Sequence, residues 1–368
     1  MSNILGKNLT LTLFGESHGE AIGAVLDGLP GGVRIDPSYM QEMMDQRRAV
    51  GALSTGRHEA DAVQILSGVK DGYSEGTPIA LIIANTNVKR KDYDALKDVA
   101  RPGHADFAGD VKYNGYEDSS GGGHFSGRLT APIVACGSIA RKMLEEKGIY
   151  IGSHIAVLHG IRDKAFDEEH LKEEIDIVNH RAFAVLDEEQ GECMKAEIEK
   201  SREQCDSVGG ILDTAVVGLE AGIGEPAFDS LESGIAKAIF SIGAVKGIAF
   251  GKGFGFADMY GSEANDAFAI QDDQVVTTTN HNGGINGGIS NGMPIRFHTV
   301  IKPTPSIAKK QNTVNYRTKE ETVLEIHGRH DPAIIHRARV VVDSVTALVV
   351  ADYLMERYGR EYFGGKRR

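Results

Sequence analysis

Two short stretches each place a histidine in a turn. GESHG (15–19) carries His18, and RPGHAD (101–106) carries His104 between Arg101 and Asp106. Imidazoles titrate near neutral pH, so two of them mounted on turns suit paired proton transfers. A lone histidine that only bonds its own turn is the bland reading of either site; a pair of them shifts the balance toward chemistry. GESHG also fits G-x-S-x-G, the nucleophile elbow of hydrolases, which would make Ser17 the reactive group. Such an elbow follows several strands of an α/β sheet, but at most one strand precedes Ser17, and no glycine-type oxyanion loop comes before it. A turn made by Gly15 and Gly19 that presents His18 is the better reading.

Anion-binding features recur along the chain. SSGGGHFSGR (119–128) leads into a helix, and glycines ahead of a helix N-terminus suit a phosphate. Arg128 adds a planar fork for an oxyanion. NHNGGINGGISNG (280–292) is a second such loop, and KPTPS (302–306) follows it after a strand, with Lys302 and Ser306 as candidate phosphate ligands. FGKGFGF (250–256) reads as a tight turn. Arg47, Arg48 and Arg57 form one cluster in sequence, and Arg329, Arg337 and Arg339 form another, with His330, Asp331 and His336 among them. No GK[ST] makes a Walker A loop, and no G-x-G-x-x-G fingerprint for a dinucleotide occurs.

These features must be held by a large fold. The 368 residues include 41% hydrophobic and 25% charged ones, ordinary for a globular protein. The 45 glycines are about 12% of the chain, above the usual ~7%, and they gather at 121–123, 251–255 and 283–288 as specific loops. A net charge of -12 argues against broad binding to nucleic acid or anionic membranes, yet permits a basic pocket for a small anion. Three cysteines without a CxxC pair predict a reduced, cytoplasmic setting with no disulfide framework and no zinc. No secretion signal is expected from MSNILGKNLTLTLFGES, and VVVDSVTALVVADYLM is too polar to span a bilayer because of Asp343 and Asp352.

LTLTLF (9–14) reads as a strand entering the GESHG turn, AIGAVLDGLP as a second strand and TPIALIIANT as a buried one. DPSYMQEMMDQRRA reads as a helix capped by Asp36 with Pro37 in its first turn. TAPIVACGSIARKMLEEKG predicts a helix with Thr130 as its cap and Gly148 at its end. Residues 161–206 read as surface helices, SLESGIAKAIFSIGAVKGIAFG as helix then strand, and ARVVVDSVTALVVADYLMERYG as a buried helix. EGTPIALIIANT (75–86) and NGMPIRFHTVIK (291–302) share a Gly-x-Pro-Ile entry into a strand, an echo of two related halves. Helices and strands without regular alternation predict an α+β class.

Taken together, GESHG, RPGHAD, GGGHFSGR, NHNGGINGGIS, KPTPS and GRHDP resemble the chorismate synthase family, in that family's order and over nearly the whole chain. The resemblance implies a single domain (1–368), a β-α-β sandwich with internal pseudo-symmetry, assembled as a homotetramer. It implies a lyase of the shikimate pathway, serving aromatic amino-acid biosynthesis, that converts 5-enolpyruvylshikimate 3-phosphate to chorismate and phosphate by anti-1,4-elimination. Reduced FMN would be required and not consumed, because the ring hydrogen is not acidic and the allylic phosphate leaves sluggishly. Whether the chain reduces its own flavin with NADPH is left open.

By the same resemblance His18 would protonate the departing phosphate, His104 would keep the reduced flavin in its working protonation state, and Asp331 would assist its deprotonation. Arg47, Arg48 and Arg57 would hold the substrate's anionic groups. His124, Phe125, Ser126, Ala244, Gly287, Lys302, Pro303, Thr304, Pro305, Ser306 and Arg329 match flavin-binding positions. The chain departs from the common pattern at several places: His124 and Phe125 replace arginine and serine, Gly243 stands where asparagine is common, Val50 replaces proline, and Asp343 replaces glutamate. An arginine usual near Leu53 is lacking. The rival readings are a serine hydrolase using Ser17, which a serine-directed phosphonate would label, and a flavin- or phosphosugar-binding protein that releases no phosphate.

Overall fold

Alternating side chains in the first part of the chain build a sheet, and a second sheet repeats its plan. The computed structural model describes residues 3–48, 61–85, 98–326 and 331–365. Its N-terminal strands are β1 (Ile4–Leu5), β2 (Thr10–Gly15), β3 (Ala21–Asp27), β4 (Gly31–Arg34), β5 (Val63–Ile65), β6 (Val69–Lys70), β7 (Tyr73–Glu75) and β8 (Ile79–Ala84). Five make an antiparallel sheet in the order β1-β2-β3-β8-β5, while β4, β7 and β6 make a small flap. The expected helix after Asp36 is α1 (Pro37–Arg47), and the Asp36 carboxylate accepts the backbone N–H groups of Ser38 and Tyr39 at 3.0 and 3.1 Å.

Next come α2 (Asp106–Lys112) and α3 (Thr130–Glu145). Thr130 is the first residue of α3 and Leu129 takes the cap position without a side-chain bond, a one-residue shift from the expected Thr130 cap. The second sheet holds β9 (Tyr150–Leu158), β10 (Ile161–Arg162), β11 (Gly210–Val217), β12 (Val245–Phe250) and, beyond the hairpins β13 (Phe268–Gln271) to β14 (Gln274–Thr277) and β15 (Ile285–Asn286) to β16 (Ile289–Ser290), β17 (Ile295–Ile301). Its order is β10-β9-β11-β17-β12, again antiparallel. The strands that enter through Gly-x-Pro-Ile, β8 and β17, each take the fourth place of their sheet. The echo in sequence is therefore a repeat in structure. The hairpin β18 (Gln311–Asn315) to β19 (Glu320–Leu324) follows.

The remaining helices are α4 (Leu171–His180) and α5 (Glu188–Glu203) in the polar middle, α6 (Leu231–Ile239), α7 (Gly261–Ala264) and α8 (Ile335–Tyr358). Between the sheets, α3 packs on β2, β3 and β8, α8 packs on β9 and β11, and the two helices pack on each other. At their contact a Cβ on Gly137 would lie 2.3 Å from the Ser344 Cβ, so glycine is what lets the helices meet so closely. This is a β-α-β sandwich with its helical layer buried, in line with the α+β expectation. Among the described residues no helix is long and apolar enough to cross a membrane. The three cysteines are free thiols.

The two aspartates that interrupt the apolar α8 each tie it to a different sheet. Asp352 accepts the backbone N–H groups of Lys7, Asn8 and Leu9 at 2.6–2.9 Å, closing the turn between β1 and β2. Asp343, fully buried, accepts the Ser153 hydroxyl of β9 at 2.5 Å and faces Arg339 and Arg141 at 3.1 and 3.6 Å. Removing that carboxylate leaves two guanidiniums in the core with too little countercharge, which costs about 3–5 kcal/mol. Asp343→Ala should lower the urea midpoint accordingly, and an unchanged midpoint would show the cluster to be neutral in net effect.

Near the start of α8 burial pushes the His336 imidazole down to about 4, with Arg337 adding to the shift and Asp331 opposing it. The folded protein then holds a neutral ring where the unfolded chain binds a proton below its ordinary value of 6.5. This contribution is complete above that value and is lost as the pH falls from there toward 4, by about 3 kcal/mol. His336→Gln should lose less stability than the parent between pH 7 and 4 in urea titrations. Equal losses would show that His336 has no part in the acid lability.

Candidate active site

The GESHG motif is the tip of a β-hairpin. Gly15 of β2 pairs with Ile22 of β3, so residues 16–20 turn back from strand to strand, with no helix following as a nucleophile elbow requires. Asn85, at the end of β8, clamps this tip by donating to the Glu16 and Gly19 carbonyls at 3.1 and 3.0 Å. The second motif is a turn whose backbone is set from both sides. Ala100 N–H donates to Val314 of β18 at 3.2 Å, and Lys302, just past β17, donates from Nζ to the Gly103 carbonyl at 2.6 Å. Burial, and then the neighbouring Lys246, lowers the Lys302 pKa.

The loop 121–123 brings the two motifs together. A Cβ on Gly121 would lie 1.9 Å from His18 Cε1, and one on Gly122 would lie 3.5 Å from His104 Nε2. Adjacent Cα atoms are only about 3.8 Å apart, so both imidazoles border the same few backbone atoms. Ser17 N–H donates to the Gly123 carbonyl at 3.1 Å, and His124 Nδ1 lies 3.1 Å from the Gly15 carbonyl. A carbonyl only accepts, so that nitrogen of His124 carries the proton. His18 is thereby buried at a hairpin tip, with 4% of its surface exposed. Phe125 lies on the other side, where its ring would meet a Cβ on Gly109 of α2, and Ser126 accepts the Arg128 N–H at 3.3 Å.

Beside His104 stands a compact charge cluster. Arg101 grips the Asp106 carboxylate through Nε and Nη2 at 2.8 and 2.6 Å, and His104 Nδ1 lies 2.7 Å from the same carboxylate. Burial alone would raise the Asp106 pKa, but the bonds from Arg101 and His104 outweigh it and hold the group well below the carboxylate range. A second cluster lies beside the His18 tip. Arg47 donates to Asp61 at 2.7 Å, Arg128 pairs with the other oxygen of Asp61, and Arg128 Nε donates to Asn85 at 3.0 Å. Burial opposes ionisation of Asp61, yet Arg47 and Arg128 together lower its pKa. Arg337 donates from Nε to the Arg47 carbonyl at 2.9 Å and pairs with Asp331. A polar chain thus runs from Asp331 through Arg337, Arg47, Asp61, Arg128 and Asn85 to the turn of His18.

Most of the residues anticipated from sequence meet here: His18, His104, His124, Phe125, Ser126, Arg47, Arg128, Lys302, Asp331 and Pro305, which lies beside Gly103, while Pro303 packs by Gly209 and the Thr304 carbonyl accepts the Ser207 hydroxyl at 2.7 Å. Arg48 is half-exposed and pairs with Asp45 at 2.8 Å. Arg57 and Arg329 lie outside the described residues, as do Val50 and Leu53. Ala244 joins the cluster through its carbonyl, which accepts the Lys302 N–H at 2.9 Å, and holds a φ of +72°. Gly287 stands apart. Its hairpin packs near Ser230 and Pro294, beyond the opposite end of β17 from Lys302, a strand of about 20 Å. Asp61 and Asn85 were missed from sequence because no local motif marks them. The only trace is that each follows an extended polar or apolar run and closes it with a short polar side chain. An open groove of about 750 Å³ between α1 and α4, lined by Pro37, Glu42, Asp45, His180 and Arg181, includes neither His18 nor His104.

The sequence profile of the chorismate synthase family matches residues 9–355. A chorismate synthase of Dehalococcoides mccartyi is 44% identical over 353 residues, covering 96% of each chain. One from Pyrococcus abyssi is 44% identical over 352 residues, covering 96% of this chain and 97% of its own. A crystal structure of chorismate synthase superposes with a TM-score of 0.75 at 28% identity, over 96% of this chain and 94% of that one. With two histidines on one tri-glycine loop and a fold and sequence alike over almost their full length, this chain belongs to the chorismate synthase family, lyases of the shikimate pathway that convert 5-enolpyruvylshikimate 3-phosphate to chorismate and phosphate.

Proposed function

We propose that the chain carries out this conversion as an anti-1,4-elimination with reduced FMN bound against the 121–126 loop. The observation that carries the reading is the meeting of His18 and His104 on Gly121 and Gly122. The residues fit a phosphorylated flavin: Thr304 Oγ1 is buried without a hydrogen-bond partner, and two residues before it Lys302 brings its ammonium to the Gly103 carbonyl. Ser126 on the glycine loop and Pro305 beside Gly103 border the same region, with Ala244 bonded to the Lys302 N–H; Pro303 and Ser306 are assigned to the flavin with them. Bound reduced FMN supplies electron density to the ring as the allylic phosphate leaves and recovers it afterwards.

The protein's own residues do the rest. His18 delivers a proton to the departing phosphate from a ring held in place by Gly121 and the hairpin tip. His104 exchanges a proton on the flavin side, and Asp331 assists there. Arg48, with Arg57, meets the substrate's anionic groups, and Arg329 is assigned to the flavin. Arg47 and Arg128, already paired with Asp61, act from behind and keep the site positive enough for a trianionic substrate. The chain works as one domain, since one cluster of buried side chains runs from Leu9 to Phe363. We place it in the cytoplasm, as expected for a chain with three free thiols and no bilayer-spanning helix among its described residues. A homotetramer accounts for the apolar surface on Phe254, Tyr260, Phe268 and Ile270, which are 91%, 78%, 69% and 72% exposed.

Phosphate release from 5-enolpyruvylshikimate 3-phosphate tests the reading directly. With oxidised FMN alone no phosphate should appear; dithionite under nitrogen should start turnover, and air should stop it. One NADPH consumed per product formed would overturn the catalytic role of the flavin. His18→Ala and His104→Ala should each slow turnover by about a hundredfold or more, as for lost general acid–base groups, while Ser17→Ala should cost far less. Gly121→Ala, which drives a methyl into the His18 ring, should match His18→Ala; a fully active Gly121→Ala would show that the ring need not sit on this loop.

A further inference from the structure

We infer that Asp106 is a positioning residue: it holds His104 as the tautomer protonated at Nδ1, so that Nε2, on the side of Gly122, is the atom that exchanges the proton. The inference rests on the acid–base reading of His104. Two neighbours compete for Nδ1. Asp106 Oδ1 lies 2.7 Å from it, and Arg101 Nη2 lies 3.1 Å from it. A guanidinium only donates and an ionised carboxylate only accepts, so the two require opposite states of that nitrogen.

The geometry decides for Asp106. The Arg101 fork is already spent on the carboxylate, with Nε on Oδ2 at 2.8 Å and Nη2 on Oδ1 at 2.6 Å. Oδ2 also accepts the Arg101 backbone N–H at 2.9 Å, so the carboxylate is fixed in rotation on the first turn of α2. A bare Nδ1 would set its lone pair against a carboxylate oxygen, whereas a protonated one donates a short, charge-assisted bond. On the far side of the ring, Nε2 borders Gly122 at the 3.5 Å that a methyl there would keep. When Nε2 takes up a proton, the Nδ1 proton stays where it is and Asp106 remains ionised, stabilising the imidazolium.

The test reads the ring before it reads turnover. In protein labelled with ¹⁵N-histidine, without substrate or flavin, the His104 signals are assigned by their loss in His104→Gln. In the neutral ring, Nδ1 should be of the protonated type and Nε2 of the bare type. In Asp106→Asn, Arg101 will hold the amide oxygen and turn the NH₂ toward Nδ1, so the two ¹⁵N signals should exchange. Turnover should then fall by about 10²–10⁴-fold, with KM and the affinity for reduced FMN unchanged. A parent protein with the proton on Nε2 overturns the inference without recourse to any variant, as does a tautomer exchange that leaves turnover intact. Full turnover in His104→Gln would instead remove His104 from the chemistry, and this inference with it. Loss of turnover in His104→Gln together with a proton on Nε2 in the parent would sink Asp106 alone.

Discussion

Between Asp118 and Ser126 the backbone borders two imidazole rings, and at Gly121 it comes so close to His18 that a Cβ would lie 1.9 Å from the ring. Gly121, Gly122 and Gly123 hold φ values of +61°, +89° and +51°, in the half of conformational space that other residues rarely enter. Gly123 is constrained from its own side as well, since a Cβ there would lie 1.8 Å from the Asp118 carbonyl. From this passage the rest follows. The hairpin tip docks through Ser17 on Gly123, His124 reaches back to Gly15, and the start of α3 is set beside both. Three segments from distant parts of the chain are locked by a few backbone bonds because nothing projects between them.

The electrostatics of the site follow from burial. An arginine taken out of water must keep a carboxylate beside it, or the desolvation cost is not recovered. Asp61 serves Arg47 and Arg128, Asp106 serves Arg101, and Asp331 serves Arg337. A chain with a net charge of -12 thus keeps its buried arginines here in pairs with aspartates. Two of the pairs also fix direction: Asp106 is held by the Arg101 backbone N–H and Asp61 lies between two arginines, so each carboxylate aims its guanidinium forks.

The two halves of the sandwich share a plan and differ in what leaves their fourth strand. β8 ends in Asn85, which clamps the His18 tip, while β17 ends in Lys302, which clamps the His104 turn. Equivalent strand ends in a pseudo-symmetric fold therefore hold the two histidine motifs, one each. The helical layer between the sheets carries this symmetry inward, with Asp352 fastening α8 to one sheet and Asp343 to the other.

Much of this was legible in the residues themselves, wherever the determinant is local. Asp36 before Pro37 marked the start of α1, the alternation of LTLTLF marked β2, and the shared Gly-x-Pro-Ile marked the repeat, because capping, periodicity and φ preference act within a few residues. The ordered motifs marked the family and the candidate histidines. What lay beyond reach was pairing across the chain. Arg47 and Arg48 look equivalent in sequence, yet one is buried on Asp61 and the other is half-exposed on Asp45. Arg337 and Arg339 look like one basic cluster, but two helical residues stand about 200° apart, so one reaches toward Asp331 and the other enters the core beside Asp343. Asp61 and Asn85 gain their roles only when β5 pairs with β8 and β8 closes on α3. Sequence determined the local elements and the chemical types available; tertiary structure decided which of the possible partners each charge took, because burial and the contacts between distant segments, such as Arg128 with Asp61, Arg337 with the Arg47 carbonyl and Lys302 with Gly103, exist only in the closed sandwich.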